Sequence, residues 1–566
     1  MRELVNRYTS GSVGNFVYNL PQGGHLSENN QNEEYFNFRA QLNYQTTMGE
    51  KHDLTVLAGA EIRQDEWNGT MSERYGYDDK KLTYKQVDWA TLAQGVVGQL
   101  SSASLTFSER LQVTSTKHRY VSAYANAGYT YDSKYSLNAS VRVEQADLFG
   151  TDPKYRYRPL WSVGAGWLMT RESFLNDIAW LDMLKLKGSW GTLGNQNLDK
   201  AYPAEPLLTN AYSAVFGKPS IIYPGYQLAY LPNPNLRWEK VEAWEAGFET
   251  NLLRNRLHFE GVYYMKNTKD LLAEVPGISG TMPGIGNLGQ IQNKGVEMAI
   301  TWRDQIGEWG YSVSANLTTI KNEVKSLVQE GYSIIAGDKQ QSYTMAGYPI
   351  GYFYGYKVAG VYQSQADIDA SPKNTLATVT PGDLKFADVN GDGEITPEDR
   401  TMIGNPTPKV TYGFSLGVNY KNWSLGIDMM GQGGNKIFRT WDNYNFAQFN
   451  YLEQRLDRWH GEGTSNTQPL LNSKHSINYL NSDYYIESGN FFRIRNVQLA
   501  YSFDKALLAK IRLQALKVYV NIQNLKTWKH NTGYTPELGG TATAFGVDNG
   551  SYPVPAVYTF GINLTF

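Results

Sequence analysis

Tyr558-Thr559-Phe560-Gly561-Ile562-Asn563-Leu564-Thr565-Phe566 places large apolar side chains at 558, 560, 562, 564 and 566, with small or polar residues between them. Side chains of a strand alternate between faces, so this segment has one greasy face and one wet face. A soluble sandwich can also end on an alternating strand. A closing strand with no polar residue on its apolar face, ending on an aromatic, is more typical of an outer-membrane barrel. Tyr558, Phe560, Ile562, Leu564 and Phe566 then read as a membrane-insertion signal.

The same pattern recurs upstream. Phe36, Phe38, Ala40, Leu42 and Tyr44 share a face, and after a turn over 46–51 so do Leu54, Val56, Ala58, Ala60 and Ile62. Val121 to Tyr129 and Tyr135 to Val143 form a second such hairpin around Asp132-Ser133-Lys134. Its charged residues, Arg142 and Glu144, avoid the apolar face, as lipid contact demands: a midplane Lys or Arg there costs about 2–4 kcal/mol. Val296 to Trp302 pairs with Tyr311 to Leu317, and Phe414 to Tyr420 with Trp423 to Met429. At Asn496 the phase slips, since Phe492 and Ile494 do not match Val497, Leu499 and Tyr501, and a bulge is expected there.

Composition agrees. The 566 residues carry 52 basic and 54 acidic side chains, so no field suited to nucleic acid arises. The absence of Cys removes disulfides and thiolate metal sites. Forty-one Tyr, 14 Trp and 54 Gly suit interfacial rings and tight turns. Mean hydropathy is −0.47, and no apolar run approaches the ~20 residues of a spanning helix. That excludes a helical membrane protein and leaves a half-apolar barrel wall open. The start, MRELVNRYTSGSVGN, lacks the apolar core of a signal peptide, so either a leader has been cleaved or the chain is the later part of something longer.

Connections alternate short and long. Brief turns fall near 46–51, 132–134, 252–255, 305–308, 347–349 and 421–422. Long polar, aromatic stretches fall near 67–117, 195–237, 364–408, 437–486 and 526–552. Arg171–Asp182 reads as an amphipathic helical turn on the short rim. One short rim and one long-looped rim is barrel asymmetry. Residues 1–32 read as a polar lead-in and 33–566 as the barrel, of roughly seventeen strands by these pattern rules. An odd total leaves the first and last strands running the same way, unable to meet as antiparallel neighbours. Open edges in lipid are costly, so further strands are expected from outside this chain.

The strongest local motif is Asp388-Val389-Asn390-Gly391-Asp392-Gly393-Glu394-Ile395-Thr396-Pro397-Glu398-Asp399, an EF-hand-type loop. Asp388, Asn390 and Asp392 supply oxygens at positions 1, 3 and 5, Glu394 its carbonyl at 7, Thr396 at 9 and Asp399 a carboxylate at 12. Ca²⁺ would stiffen a surface loop; an Asp/Gly-rich turn needing no ion is the alternative. Two strings fail on context. Gly284 to Gly289 matches a dinucleotide fingerprint but precedes a strand. Gly413-Phe414-Ser415-Leu416-Gly417 matches a nucleophile elbow but lies in mid-strand. The seven histidines show no ligand spacing, and no acid/base pair emerges, so no catalytic residue, redox group or nucleotide is expected. Tyr223, Tyr226, Tyr230, Trp441, Tyr444 and Phe446 could stack on sugar rings or peptides; the plainer reading is loop packing and an interfacial girdle.

Several stretches resemble the starch-utilisation C/RagA (SusC/RagA) family of TonB-linked outer-membrane transporters: LKGSWGTLGNQ from Leu186, NPNLRWEK from Asn233, KNTKDLL from Lys266, NKGVE from Asn293 and PIGYFYGYKVAGVYQ from Pro349. Gly382 to Gly404, Arg458 to Asn466 and Tyr485 to Asn496 match as well. The resemblance implies an all-β fold, a 22-stranded transmembrane antiparallel barrel with a plug inside. It implies a SusD-like surface lipoprotein over the long loops, glycan or oligopeptide substrates, and drive from TonB. This chain has no plug and no TonB box, and it reads Glu144 to Gly150 (EQADLFG) where the family has a DGSSRFG-like run. The expectation is therefore the C-terminal barrel part of such an importer, integral to the bacterial outer membrane. Its partners would be lipid, the remaining N-terminal plug and barrel portion, the lipoprotein and TonB. A passive porin or structural barrel is the alternative, and a secreted carbohydrate-binding β-protein a third reading.

Overall fold

The computed structural model describes residues 2–12, 14–98, 104–107, 109–147, 157–195, 207–216, 221–230, 233, 235–275, 284–287, 289–327, 331–441, 451–471 and 476–566. Among them the dominant element is one sheet of sixteen strands. Its path runs β1 (Gly24–Met48), β2 (His52–Tyr77), β3 (Leu111–Tyr131), β4 (Tyr135–Ala146), β5 (Pro159–Leu168), β6 (Leu181–Asn195), β7 (Glu239–Leu252) and β8 (Leu257–Lys269). It continues through β9 (Gln290–Ile306), β10 (Trp309–Thr319), β11 (Val410–Tyr420), β12 (Trp423–Gly433), β13 (Phe491–Ser502), β14 (Ala515–Lys529) and β15 (Val557–Thr565). The sixteenth, Lys321–Ser326, prolongs β10 past Ile320 along the far end of β9. Each strand pairs with its neighbour in sequence, which is an up-and-down meander.

Register explains the alternation. Phe560 pairs with Val520 and Ile562 with Val518, whereas Thr559 pairs with Asn521 and Asn563 with Lys517. Cross-strand partners share a face, so apolar and polar residues separate between the two faces of these strands. The apolar face is bare: Phe560 is 80% exposed, Ile562 67% and Leu42 80%. The total accessible area is 33976 Å², against about 20,000 Å² expected for a soluble monomer of this mass. Both faces of the sheet contribute to that excess, and its apolar face, bare at Phe560, Ile562 and Leu42, is tolerable only where lipid replaces water.

Rings mark two levels on this face. Near the short turns Trp309 stacks on Tyr420 with centroids 4.3 Å apart, and Trp423 lies 4.9 Å from Tyr501. Further along the strands Trp161 meets Trp190 at 4.8 Å and Trp244 meets Tyr263 at 5.3 Å. Trp190 lies nine residues above the start of β6 at Leu181, about 20 Å of rise for a tilted strand. The spacing suits the two interfaces of an apolar band.

Seven short connections join β1/β2, β3/β4, β5/β6, β7/β8, β9/β10, β11/β12 and β13/β14. Asp132 and Ser133 both sit at positive φ, 52° and 51°, the backbone of a hairpin turn that matches strand twist. The expected turn at 347–349 is not among them. Gly347 lies in a four-stranded loop sheet, Ser333–Ala336, Ser342–Met345, Tyr352–Gly355 and Thr401–Gly404, off the main path. That moves one hairpin out of the wall, giving fifteen crossing strands instead of roughly seventeen, and the total stays odd. Among the described residues neither β1 nor β15 has a partner on its outer edge.

Other boundaries move too. The lead-in expected over 1–32 holds a helix (Arg2–Arg7) and a hairpin (Thr9–Ser12 with Asn15–Tyr18), and β1 begins at Gly24. The loop expected over 67–117 shrinks to 78–110, because β2 and β3 extend beyond the apolar band. With water on both faces there, alternation has no reason to persist. Of the helical turn over Arg171–Asp182, only Met169–Arg171 is 3-10, followed by turns. The bulge does appear: register shifts between Asp428 and Met429 on β12 and between Ile494 and Asn496 on β13. Gly284–Asn287 is a short strand paired with Leu272–Val275, not a strand-to-helix turn, and Ser415 sits mid-strand in β11.

The chain divides into two units, one of residues 1–43, 57–125 and 142–159, the other of 44–56, 126–141 and 160–566. The first has its own core of Val5, Tyr8, Leu20, Tyr75, Leu92 and Val96, packed by Trp89 and Phe107. Its strands are tied by Arg39–Glu61 at 2.8 Å and Lys117–Glu66 at 2.6 Å. The second carries most of the wall and the ordered loops.

Candidate functional site: the polar wall and its loop body

On the polar face of β11 to β15, Ser415 Oγ donates to Asp428 Oδ1 at 2.7 Å. The bulge on β13 inserts Arg495 beside Asn496, and on β14 the answering irregularity puts Asn524 at φ +53°. A bulge re-aims the side chains around it. Here it brings Arg495 and Asn524 onto a concavity of ≈ 800 Å³, walled by Asp428, Asn496, Gln498, Asn521, Gln523 and Lys517. Amides and two cations against one carboxylate form a wet surface able to hydrogen-bond polar polymers.

Beyond the wall the long loops interlock. Lys436–Arg439 pairs antiparallel with Ile486–Ser488 and parallel with Val547–Asp548, so residues from two loops share one small sheet. Phe353, Phe438 and Tyr485 fill its core. Arg439 Nη1 donates to Glu487 Oε1 at 2.8 Å, with side chains 7% and 10% exposed. Glu487 also accepts from Thr532 N at 2.9 Å and Thr532 Oγ1 at 2.6 Å. The Arg439 guanidinium lies over the rings of Tyr484 and Trp441, at 5.4 and 5.7 Å. Arg493, at the top of β13, pairs with Glu537 and donates Nε to Thr527 Oγ1 at 2.7 Å. Arg455 Nη1 reaches the Tyr484 hydroxyl at 2.6 Å, which in turn donates to Gln468 at 2.7 Å. Buried charges paired and further hydrogen-bonded in this way fix one arrangement of the loops. Asp483 shows the cost of burial, which pushes its carboxyl up despite the hydrogen bond from Val358 N at 2.8 Å.

The 388–399 loop is a tight Asp/Gly turn held by side-chain to backbone hydrogen bonds. Gly393, at its sixth position, has φ +85°, which a side chain would strain. Ile395 is fully buried among Tyr356, Val361, Leu384, Phe386 and Ile477, anchoring the loop in a core. Asp388 accepts from Gly391 N at 2.6 Å and Gly393 N at 2.9 Å, Asn390 from Asp392 N at 3.0 Å, and Asp392 from Glu394 N at 2.9 Å. Asp399 is fully buried: Oδ1 accepts from Val389 N at 2.8 Å and Asn390 N at 3.4 Å, Oδ2 from Thr396 N at 2.8 Å. Thr396 completes a capping box with Asp399. Burial pushes the Asp399 carboxyl up, but these backbone N–H groups outweigh it and hold the group below the usual carboxylate range. Asp399 is thus the loop's clasp. Among the described residues no three acidic or histidine side chains converge on one point. Any cation would draw on Asp388, Asn390, Asp392, the Glu394 carbonyl and Thr396.

The aromatic candidates separate. Tyr223, Tyr226 and Tyr230 lie on the strand Ile221–Tyr230, registered opposite Ala214, Asn210 and Leu207. Trp441 is engaged by Arg439, a packing role. Tyr444 and Phe446 lie outside the described residues. Sequence reading found the phase slip at Asn496 but missed the Arg439–Glu487 and Arg493–Glu537 pairs. Their members sit 48 and 44 residues apart, and Arg439, Glu487 and Glu537 lie in unpatterned connections between the wall strands.

A sheet apolar on one face and polar on the other, short-turned at one rim and carrying a knitted loop body at the other, is the wall of an outer-membrane β-barrel. Residues 3–549 match the family model described as TonB dependent receptor-like, beta-barrel, and the chain belongs to that family. A TonB-dependent receptor of Formosa agariphila is 28% identical over 99% of this chain and 56% of its own length. The TonB-dependent receptor SusC of Bacteroides thetaiotaomicron is 26% identical over 80% of this chain and 44% of its own. Among solved structures the RagAB peptide transporter aligns with a TM-score of 0.78 at 24% identity, covering 96% of this chain and 56% of that one. The chain thus spans about half the length of the curated relatives it matches. The SusC/RagA resemblance read from the sequence is borne out, and the protein is integral to the outer membrane.

Proposed function

We propose that this chain forms the C-terminal part of the barrel of a TonB-driven outer-membrane importer for glycans or oligopeptides. Its wall is apolar outside and amide-rich inside, and the interlocked loops at the outer rim offer the docking surface for a SusD-like surface lipoprotein. The observation that carries the reading is the bulge-centred concavity on the polar face of the wall, lined by amides, Arg495, Lys517 and Asp428, which suits polar cargo. The relatives support it: RagAB is a peptide transporter and SusC a TonB-dependent receptor. In the same reading the 388–399 loop holds Ca²⁺ and stiffens the loop body. The test is uptake of labelled oligosaccharides and oligopeptides by cells with and without the gene, repeated with a proton uncoupler. Import that requires the gene and stops with the uncoupler supports the reading. Gene-dependent entry that ignores the uncoupler would make the protein a passive pore.

A further inference from the structure

The short-rim connection between β13 and β14 contains the one-turn helix Lys505–Ala509. Leu507 and Ile511, four residues apart and therefore on one face, are 53% and 61% exposed, while Leu508 alone turns inward. The turn is entered from Phe503 and left toward Leu516. Phe503 meets Tyr501, a girdle residue, edge-on at 5.0 Å, and Leu516 shares the lipid-facing register with Leu564. The turn that carries the exposed apolar pair thus begins and ends on residues beside the apolar band. Around it stand Lys505, Lys510 and Arg512, all exposed, and among the described residues none has a carboxylate within 4 Å. The acid on the same turn, Asp504, accepts from Asn422 Nδ2 at 2.7 Å, and the neighbouring Lys421 is taken by Glu308 at 3.2 Å. Arg512 sits at φ +59° in the helix-closing position, with Leu513 N donating to Leu508 O at 3.1 Å and its own N to Ala509 O at 3.3 Å. Glycine is the unstrained residue there, yet a long cation occupies the position.

We propose that this turn is a binding site for an anionic phospholipid of the leaflet at the short-turn rim. Leu507 and Ile511 enter the acyl boundary, and Lys505, Lys510 and Arg512 hold the headgroup phosphate. Apolar anchors flanked by cations at the depth of the headgroups are the arrangement that selects anionic over zwitterionic lipid. The inference rests on the membrane placement of the wall, not on what the importer carries.

The test uses the transporter carrying this chain, purified in detergent doped with phosphatidylglycerol or phosphatidylcholine, and reads retained lipid by native mass spectrometry. Wild type should retain phosphatidylglycerol preferentially. Lys505→Gln with Lys510→Gln and Arg512→Gln should lower that preference by about threefold to fivefold per charge removed. Leu507→Ser with Ile511→Ser should weaken retention of both lipids alike. All five positions are exposed, and correct folding is checked by heat-modifiable gel migration. Inorganic phosphate serves as competitor: displacement of the lipid by millimolar phosphate would mean a free-phosphate site and overturn the lipid assignment. Equal retention of the two lipids by wild type, or an undiminished preference in the triple variant, would also overturn it.

Discussion

A single-residue step along β9 should invert the cost of a charge. Ile300 registers with Phe259 on β8 and Ala315 on β10 and belongs to the lipid face. It lies six residues above the short-rim end of β9 at Ile306, which is about 15 Å of rise, close to the middle of an apolar band ~25 Å tall. Thr301, the next residue, faces the lumen, its hydroxyl 3.0 Å from that of Ser314. Ile300→Arg should cost about 2–4 kcal/mol, whereas Thr301→Arg, with water at hand, should cost about 0–1 kcal/mol. The first figure corresponds to a shift of roughly 30-fold to 700-fold in the folding equilibrium. Urea titration of the transporter in lipid vesicles, followed by tryptophan fluorescence, measures both. Equal costs, or a greater cost at Thr301, would refute the assignment of faces and with it the membrane reading.

Four further outcomes follow from the loops and the turn. Glu487→Gln should strand the Arg439 guanidinium and destabilise the loop body by about 3–5 kcal/mol, and a double-mutant cycle with Arg439→Met should recover most of that; hydrogen exchange around 530–535 reports it. Because the folded Asp399 carboxyl sits below its ordinary value, the clasp contributes fully above that value and is lost as pH falls through the depressed one. Limited proteolysis at 388–399 should therefore rise at the acid end, and Asp399→Asn should abolish the pH dependence. Chelator should increase cleavage in the same loop and Asp392→Ala should reproduce the effect; cleavage indifferent to chelator would remove calcium from the account. Arg512→Gly should stabilise the β13–β14 turn slightly, by less than about 1 kcal/mol in urea titration, while reducing phosphatidylglycerol retention.

The wall was legible because lipid imposes a period-two pattern on each crossing strand, and residues such as Phe560 and Ile562 have no other reason to be apolar and bare. Even the bulge announced itself, since an extra residue at 495 breaks the phase that Val497 and Leu499 resume. The errors cluster where that pressure ends. The hairpin around Gly347 alternates like a wall strand, but Ser342 and Thr344 are buried in a loop core, so the same period arose from packing instead of lipid. Asn29 to Asn32 show no period although they lie in β1, because a strand with water on both sides needs none. The loop sheet around Arg439 left no local trace at all. Its charges are neutralised by Glu487 on the far side of a loop, and only three-dimensional proximity makes the pair meaningful.

The unequal rims have a bearing on how the protein is put together. Lys421-Asn422 is small enough to be pushed through hydrocarbon as a bare hairpin tip, and so are Asp132-Ser133-Lys134. The 327–409 and 434–490 segments, with Arg439, Arg455 and Glu487 meant for a dry interior, could cross only as loose polypeptide, before those charges found each other. The outer body must therefore condense after its strands have been delivered. Its knitted ion pairs are then the last step of biogenesis, and a defect in them should leave a threaded wall with an unassembled crown.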